Sequence, residues 1–139
     1  MLSLIIALAG IALGIFVAIA FFKAGRFKLT GTKEAFAAAQ WGWAEKISLG
    51  TIRLIGLLEV LGAIGAVVAP IVALIPGFEW AQGFGVAATG GLALTMVGAI
   101  IVHQSRGESK YTLKMNLGLL APAVIAAVLD ALVALPIKF

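Results

Sequence analysis

The chain has 139 residues, of which 63% are hydrophobic and 12% are charged, with a formal net charge of +4 and no cysteine. Because about a quarter of the residues in soluble domains are charged, this composition indicates a membrane protein, long enough for a single domain, residues 1–139, of four spans. The missing cysteines exclude disulfides, thiolate metal sites and a cysteine nucleophile. The basic residues cluster beside apolar runs, which is typical of membrane topology signals, so we expect no nucleic-acid partner.

The first predicted span covers residues 2–22. It places Gly10 and Gly14 in a GxxxG pattern, and Ala7 and Ala18 continue the same stripe of small residues. Such a stripe favours the close approach of another helix. No Lys or Arg precedes the run and its apolar core is long, so we interpret it as a span and not as a cleaved signal peptide.

The first connection, residues 23–48, combines five basic residues with two acidic ones. Its alanine-rich middle, residues 33–43, carries Phe36, Trp41 and Trp43, and this pattern predicts a short helix in the headgroup layer. We interpret the aromatic residues as a membrane anchor. A role in gating a substrate is the alternative.

Three further spans are predicted at residues 47–74, 81–103 and 113–135, with Pro70 near the end of the second and Pro122 inside the fourth. The sequence therefore predicts an all-α fold, a bundle of four transmembrane helices with a short interfacial segment between helices 1 and 2. Lys and Arg are concentrated in the first and third connections, whereas the tail has only Lys138. By the positive-inside rule we expect those two connections in the cytoplasm and both termini outside.

The second span carries two ionisable residues, Arg53 and Glu59, in otherwise apolar sequence. A charge in the bilayer centre costs several kcal/mol unless it is paired or wet, so we expect both to face the bundle interior. They lie ~120° apart around a helix and should not bond to each other, so each is expected to meet a different helix. Small residues share the stripe of Glu59, which indicates a packed face. Glu59 then either ties two helices together or forms a proton or ligand site.

Arg53, His103 and Asn116 are expected at similar depth on three helices, which predicts a polar cluster near the cytoplasmic side. For His103, the alternative is a solvated residue at a helix end. Asn116 and Asp130 share one face of the fourth span, but Asp130 lies ~21 Å further along it. We therefore interpret Asp130 as a hydrated acid at the outer interface. One histidine and no cysteine cannot build a zinc or bis-histidine haem site within one chain, so no metal is expected.

Four short motifs follow one another along the chain. They are the AG-R-F-KL element containing Lys28, the R-x-x-G-x-x-E-x-x-G-x-x-G arrangement from Arg53 to Gly65, the run MVGAIIVH that ends at His103, and Asn116 early in the last span. Together they resemble the DoxX-like family of small four-helix bacterial membrane proteins. The resemblance covers nearly the whole chain, which departs from it by the Trp-bearing first connection and by Asp130. It implies a multi-pass protein of the bacterial cytoplasmic (inner) membrane and gives site status to five residues, Lys28, Arg53, Glu59, His103 and Asn116.

Relatives in the wider group include a membrane subunit of a thiosulfate:quinone oxidoreductase, so the resemblance also implies quinone or redox-partner work. Our first hypothesis is a quinone-binding subunit in which Arg53 and His103 hydrogen-bond the head group and Glu59 exchanges a proton. The second is an accessory subunit whose small-residue stripes dock a partner. The third, transport of a solute or proton, would require dimerisation. Beyond the bilayer, we expect a second copy or a partner membrane protein; the sequence identifies no catalytic residue.

Overall fold

A computed structural model describes residues 1–135, so Lys138, which was counted in the charge bias, lies outside the described residues. That range folds into five α-helices, and four of them are long and apolar enough to cross a membrane. The predicted all-α bundle of four transmembrane helices is therefore confirmed. The helices are α1 (Leu2–Thr30), α2 (Lys33–Ala38), α3 (Leu49–Val72), α4 (Gln82–Ser105) and α5 (Ser109–Ala134).

The four long helices form a closed ring of contacts. α1 packs against α3 and α5, and α4 packs against the other sides of the same two helices. Consecutive long helices run in opposite directions. Gly14 of α1, for example, lies beside Ala66 of α3, whereas Gly25, further along α1, lies beside Gly56, nearer the start of α3. Val17, Ala66, Leu92 and Ala123, one from each long helix, are buried in the shared core.

The first helix is longer than the predicted span, since it continues past residue 22 to Thr30. Residues 23–30 contain no proline, and their lysines and arginine have good helix propensity, so the helix has no local reason to end at the membrane boundary. This extension carries Lys28, which is only 8% exposed, onto the packed face of α1.

Two side-chain caps fix the connection between α1 and α3. Thr32 accepts a hydrogen bond from the backbone N–H of Ala35 at the start of α2. Ser48 does the same for Thr51 at the start of α3. Both satisfy backbone donors that a helix leaves unpaired in its first turn. Between them, a 3-10 turn at Gly42–Ala44 follows α2.

The small-residue stripe of the first span packs inside the bundle. A Cβ atom on Gly14 would lie 2.5 Å from the carbonyl oxygen of Ala66, so α1 and α3 touch backbone to backbone at this level. Large apolar side chains such as Leu58 and Ile125 instead point outward, as expected where lipid replaces water. The α1 stripe is therefore occupied within the chain and is not free to dock a partner.

Candidate functional site

A buried ion pair joins α1 to α3. The Nζ of Lys28 donates to Glu59 Oε1 at 2.7 Å and to Glu59 Oε2 at 2.6 Å. The two side chains are 10% and 5% exposed. The prediction that Glu59 faces the interior and meets another helix is thus confirmed, and its partner is Lys28. Because desolvating two charges costs several kcal/mol, a pair at this depth needs a structural or functional reason.

Two glycines bring the helices close enough for this pair to form. A Cβ atom on Gly25 would lie 2.7 Å from the carbonyl oxygen of Gly56, and one on Gly56 would lie 2.7 Å from Lys28 Cβ. Only hydrogen atoms fit in that space, so the backbones of α1 and α3 cross directly beside the pair. The lysine stem can then lie flat along α3 and reach Glu59, one turn deeper.

Aromatic side chains of the first connection cover the pair. Trp41 and Trp43 place their ring centroids 5.3 Å and 5.9 Å from Lys28 Nζ, within cation–π range. Trp41 also stacks parallel to Phe36 and meets Phe27 edge to face. We call Phe27, Phe36, Trp41 and Trp43 the aromatic lid. Its rings cover the Lys28 end of the ion pair.

Lys33 fastens the segment that carries this lid. Its ammonium group donates to the carbonyl oxygens of Ala44, the last residue of the 3-10 turn, and of Glu45 and Ile47, which follow it. Three acceptors satisfy the three hydrogens of the ammonium group. The connection is therefore folded back on itself and holds Trp41 and Trp43 over Lys28.

A hollow of about 480 Å³ lies on the outer side of the lid. Its lining includes Ala37, Gln40, Trp41 and Glu45, so an aromatic face and polar groups meet there. Trp41 belongs both to this hollow and to the cover of Lys28. A planar molecule in the hollow would contact the same ring that contacts the ammonium group.

The structure places Arg53 differently from our expectation. Its side chain is exposed on the outer face of α3, and the described residues form no ion pair or hydrogen bond with it. The expectation that it faces the bundle interior is wrong. Arg53 lies little more than one turn from the start of α3, so its long stem can carry the guanidinium to the headgroup layer without an internal partner.

His103 belongs to a second polar cluster, at the turn between α4 and α5. Its Nδ1 lies 2.7 Å from Glu108 Oε2, and Arg106 Nε donates to Glu108 Oε1 at 2.6 Å. The Arg106 hydrogen bond, followed by that of His103, holds the pKa of Glu108 below its usual value. His103 is therefore paired locally, and the predicted cluster of Arg53, His103 and Asn116 does not form.

Asn116 is buried, as its place on the inward face of α5 predicted, and is 2% exposed. Its Nδ2 has no hydrogen-bond partner among the described residues. Gly10 of α1 lies beside Asp130 of α5. Asn116 lies ~21 Å from Asp130 along α5, and the same distance along α1 leads from Gly10 to Ala24, so Asn116 is level with Ala24. It thus approaches the depth of Lys28, although no hydrogen bond joins the two residues.

Asp130 corrects a second expectation. It is 1% exposed, whereas we interpreted it as a hydrated interfacial acid. Gln82 Nε2 donates to its Oδ1 at 3.0 Å, and Thr89 Oγ1 lies 3.4 Å from its Oδ2. Depth along the helix suggested exposure, but the inward face that Asp130 shares with Asn116 and Ala123 decided its burial. The spacing that puts Asp130 on the same helical face as Asn116 was the sequence signal for its burial. No sequence pattern pointed to Gln82 or Thr89 as its partners.

These observations define a small multi-pass membrane protein, a bundle of four apolar helices with an internal ion pair under an aromatic lid. The chain belongs to the DoxX-like family, whose profile matches residues 11–129 and so confirms the resemblance. Neither the comparison with curated proteins nor the comparison with solved structures gives a match. Within residues 1–135, no group of three or more His, Cys, Asp or Glu is arranged to hold a metal ion.

Proposed function

We propose that this protein is a quinone-binding membrane subunit, and that the head group binds at Lys28 and Glu59 beneath the aromatic lid. The observation that carries the proposal is the buried Lys28–Glu59 pair, covered by two tryptophans at one end of the bundle. Intramembrane charges that are this costly to bury are functional candidates by default. Electrons would be exchanged through a partner protein of the membrane, and the binding step needs only this chain.

The chemistry of the pair suits a quinone carbonyl. An ammonium group has three hydrogens, and two of those on Lys28 go to Glu59. The third remains for a carbonyl oxygen of the ligand. Glu59 adjoins that position and can accept or return the proton that accompanies a change in quinone redox state. Arg53 and His103, which we first expected at the head group, have no part in this site.

The aromatic lid supplies the surface for a flat ring. A quinone in the hollow beside α2 would stack on Trp41, the ring shared with the cover of Lys28. Rotation of the Trp41 side chain would then let a carbonyl oxygen of the quinone reach the ammonium group of Lys28. The long isoprenoid tail would stay in the lipid, against the outward-facing apolar side chains.

The distribution of Lys and Arg supports an orientation for this site. The connection that carries the lid is one of the two basic connections, so by the positive-inside rule the site lies at the cytoplasmic face. Both termini would then lie outside the cell, and the membrane would be the bacterial inner membrane. Fusion of a reporter to the N-terminus and another to the α4–α5 turn would test this orientation.

Tryptophan fluorescence tests quinone binding directly, because quinones quench nearby indole rings. The chain has three tryptophans, and Trp80 lies in the connection before α4, away from the lid. In a Trp80→Phe background in nanodiscs, a short-chain ubiquinone should quench the remaining signal saturably. Lys28→Met should then weaken binding about tenfold or more, which corresponds to ~1.4 kcal/mol or more.

Two variants make this test decisive. Lys23→Met removes an exposed lysine of the same helix and should leave the affinity unchanged. Ala37→Leu fills the hollow from an exposed position outside the core, so it should block binding without unfolding the bundle. Equal quenching of wild type, Lys28→Met and Ala37→Leu would exclude a quinone site here.

An accessory role in a larger complex is the second candidate, and α4 favours it. Gly83, Gly90, Gly91 and Gly98 have no described atom within 4 Å of the position where a Cβ would lie. Such glycines allow another transmembrane helix to approach closely. Gly91→Leu should then change the mass of the native complex and leave quinone quenching intact, which distinguishes the two roles.

A further inference from the structure

Asp130 lies in a pocket of polar groups at the end of the bundle far from Lys28 and Glu59. The residue is 1% exposed, and its carboxyl lies against two other helices, α4 and α1. α4 contributes Gln82 and Thr89, whereas α1 contributes Gly10, where a Cβ would lie 3.0 Å from Asp130 Oδ1. Asp130 is not part of the proposed quinone site, so the burial of its carboxyl must have another reason.

The hydrogen bonds around the carboxyl fit its neutral form. Thr89 has a single hydroxyl hydrogen, and the carbonyl oxygen of Gly85 lies 2.8 Å from Thr89 Oγ1, closer than Asp130 Oδ2 at 3.4 Å. With that hydrogen donated to Gly85, the hydroxyl oxygen of Thr89 faces Oδ2 as an acceptor. A hydrogen on Oδ2 would complete the contact, while Oδ1 accepts from Gln82.

The ionised form would be poorly supported in the same place. A carboxylate offers about four acceptor positions, and the neutral amide of Gln82 is the donor with good geometry. Within residues 1–135, no Lys, Arg or His forms an ion pair with Asp130. Burying such a carboxylate without a countercharge costs far more than burying the acid.

Among the described residues, the elements packed around the group bring no other titratable side chain to it. Beside the carboxyl, α1 presents Gly10, α4 presents Gly85 between its two polar residues, and α3 reaches Gly85 through Pro70. Glu79, in the connection before α4, is exposed and accepts instead from the backbone N–H of Gly77. The amino group of Met1 lies nine residues before Gly10 in the chain, at the start of α1.

We propose that Asp130, Gln82 and Thr89 form a proton-binding site at this end of the bundle, occupied when Asp130 is a neutral acid that donates to Thr89 and accepts from Gln82. The ligand is a single proton, held between Asp130 Oδ2 and the hydroxyl oxygen of Thr89. The site is independent of quinone binding, since ~27 Å of α1 separates Gly10 from Lys28.

The sequence offers an unusually direct test, because Asp130 is the single aspartate of the chain. Protein labelled with ¹³C at the aspartate carboxyl and placed in nanodiscs would report this group alone. Its ¹³C resonance and carbonyl infrared band should be those of a protonated acid at about pH 7, where an exposed aspartate is ionised. Thr89→Val removes the acceptor and should shift the band, whereas Thr89→Ser should leave it in place.

Two results would overturn the proposal. One is a carboxylate signal at about pH 7 in the wild-type protein, since exposed aspartate gives that signal above about pH 5. The other is conversion of the acid signal to a carboxylate signal when sodium chloride replaces choline chloride, which would make the site a cation site. Asp130→Asn, of nearly the same shape, should remove the labelled signal and keep the fold, and the charge-neutral pair Lys28→Met with Glu59→Gln should leave it unchanged.

Discussion

Gly25 of α1 and Gly56 of α3 face each other so closely that a Cβ atom on Gly56 would lie 2.6 Å from the carbonyl oxygen of Gly25. Backbone contact at this point sets the distance between Lys28 and Glu59. The two glycines are therefore as important to the ion pair as the charged residues themselves.

Gly56→Ala should push α1 and α3 apart and lower the free energy of unfolding by about 1–3 kcal/mol, the usual cost of overpacking. Gly118→Ala on α5 is a suitable control, since no described atom lies within 4 Å of its Cβ position. That change should be neutral or stabilising by up to ~1 kcal/mol through helix propensity. Unfolding in nanodiscs would measure both, and equal effects would refute the close-contact argument.

Lys28→Met and Glu59→Gln should each destabilise the bundle by about 3–5 kcal/mol, because each leaves a buried group without its partner. The double variant should lose much less free energy of unfolding than the two single variants lose in sum. Denaturant titration of all four proteins gives the coupling energy. Additive losses would show that the two residues do not act as a pair.

Arg53→Ala should change stability by no more than about 0.5 kcal/mol, as is usual for an exposed residue without partners. Quinone quenching should also be unchanged, since the guanidinium lies outside the proposed site. The same measurements on Lys28→Met provide the comparison. A large loss of binding in Arg53→Ala would restore Arg53 to the head-group site.

The turn between α4 and α5 should weaken in acid. Its hydrogen bonds to Arg106 and His103 hold the pKa of Glu108 below the usual value. A lowered pKa in the folded state stabilises the fold above the unfolded pKa, and this contribution is lost as the pH falls through the folded pKa. The protection of the Gly107 and Glu108 amides, which is the factor by which they exchange more slowly than in an unfolded peptide at the same pH, should therefore fall below about pH 4. Glu108→Gln should exchange fast at neutral pH and lack this acid step; an identical profile would contradict the prediction.

The sequence predicted the four helices because long apolar runs leave few alternatives. It also predicted that Glu59 points inward, since small residues surround it on one helical face. The partner of Glu59 was not predictable in the same way. Lys28 lies beyond the apolar run of the first span, and its place in the bundle depends on the helix continuing to Thr30.

Two misplaced residues show where local reasoning fails. Arg53 was assigned to the interior because it lies within an apolar run, but a long side chain near a helix end can reach the headgroups. Asp130 was assigned to water because of its depth, but Gln82 and Thr89 of another helix satisfy it. Such contacts between helices depend on rotation and register, which a single sequence does not specify.

The length of α1 has a consequence for the membrane around the protein. Its 29 residues extend ~43 Å, and the apolar run at residues 2–22 accounts for ~31 Å of this, close to the hydrocarbon thickness of ~30 Å. Hydrophobic mismatch is relieved by tilt or by local changes in bilayer thickness. A thicker bilayer would draw the last turns of α1, with Lys28, toward the acyl chains. The lipid composition of the host membrane would thereby tune how strongly the lysine and the glutamate hold each other.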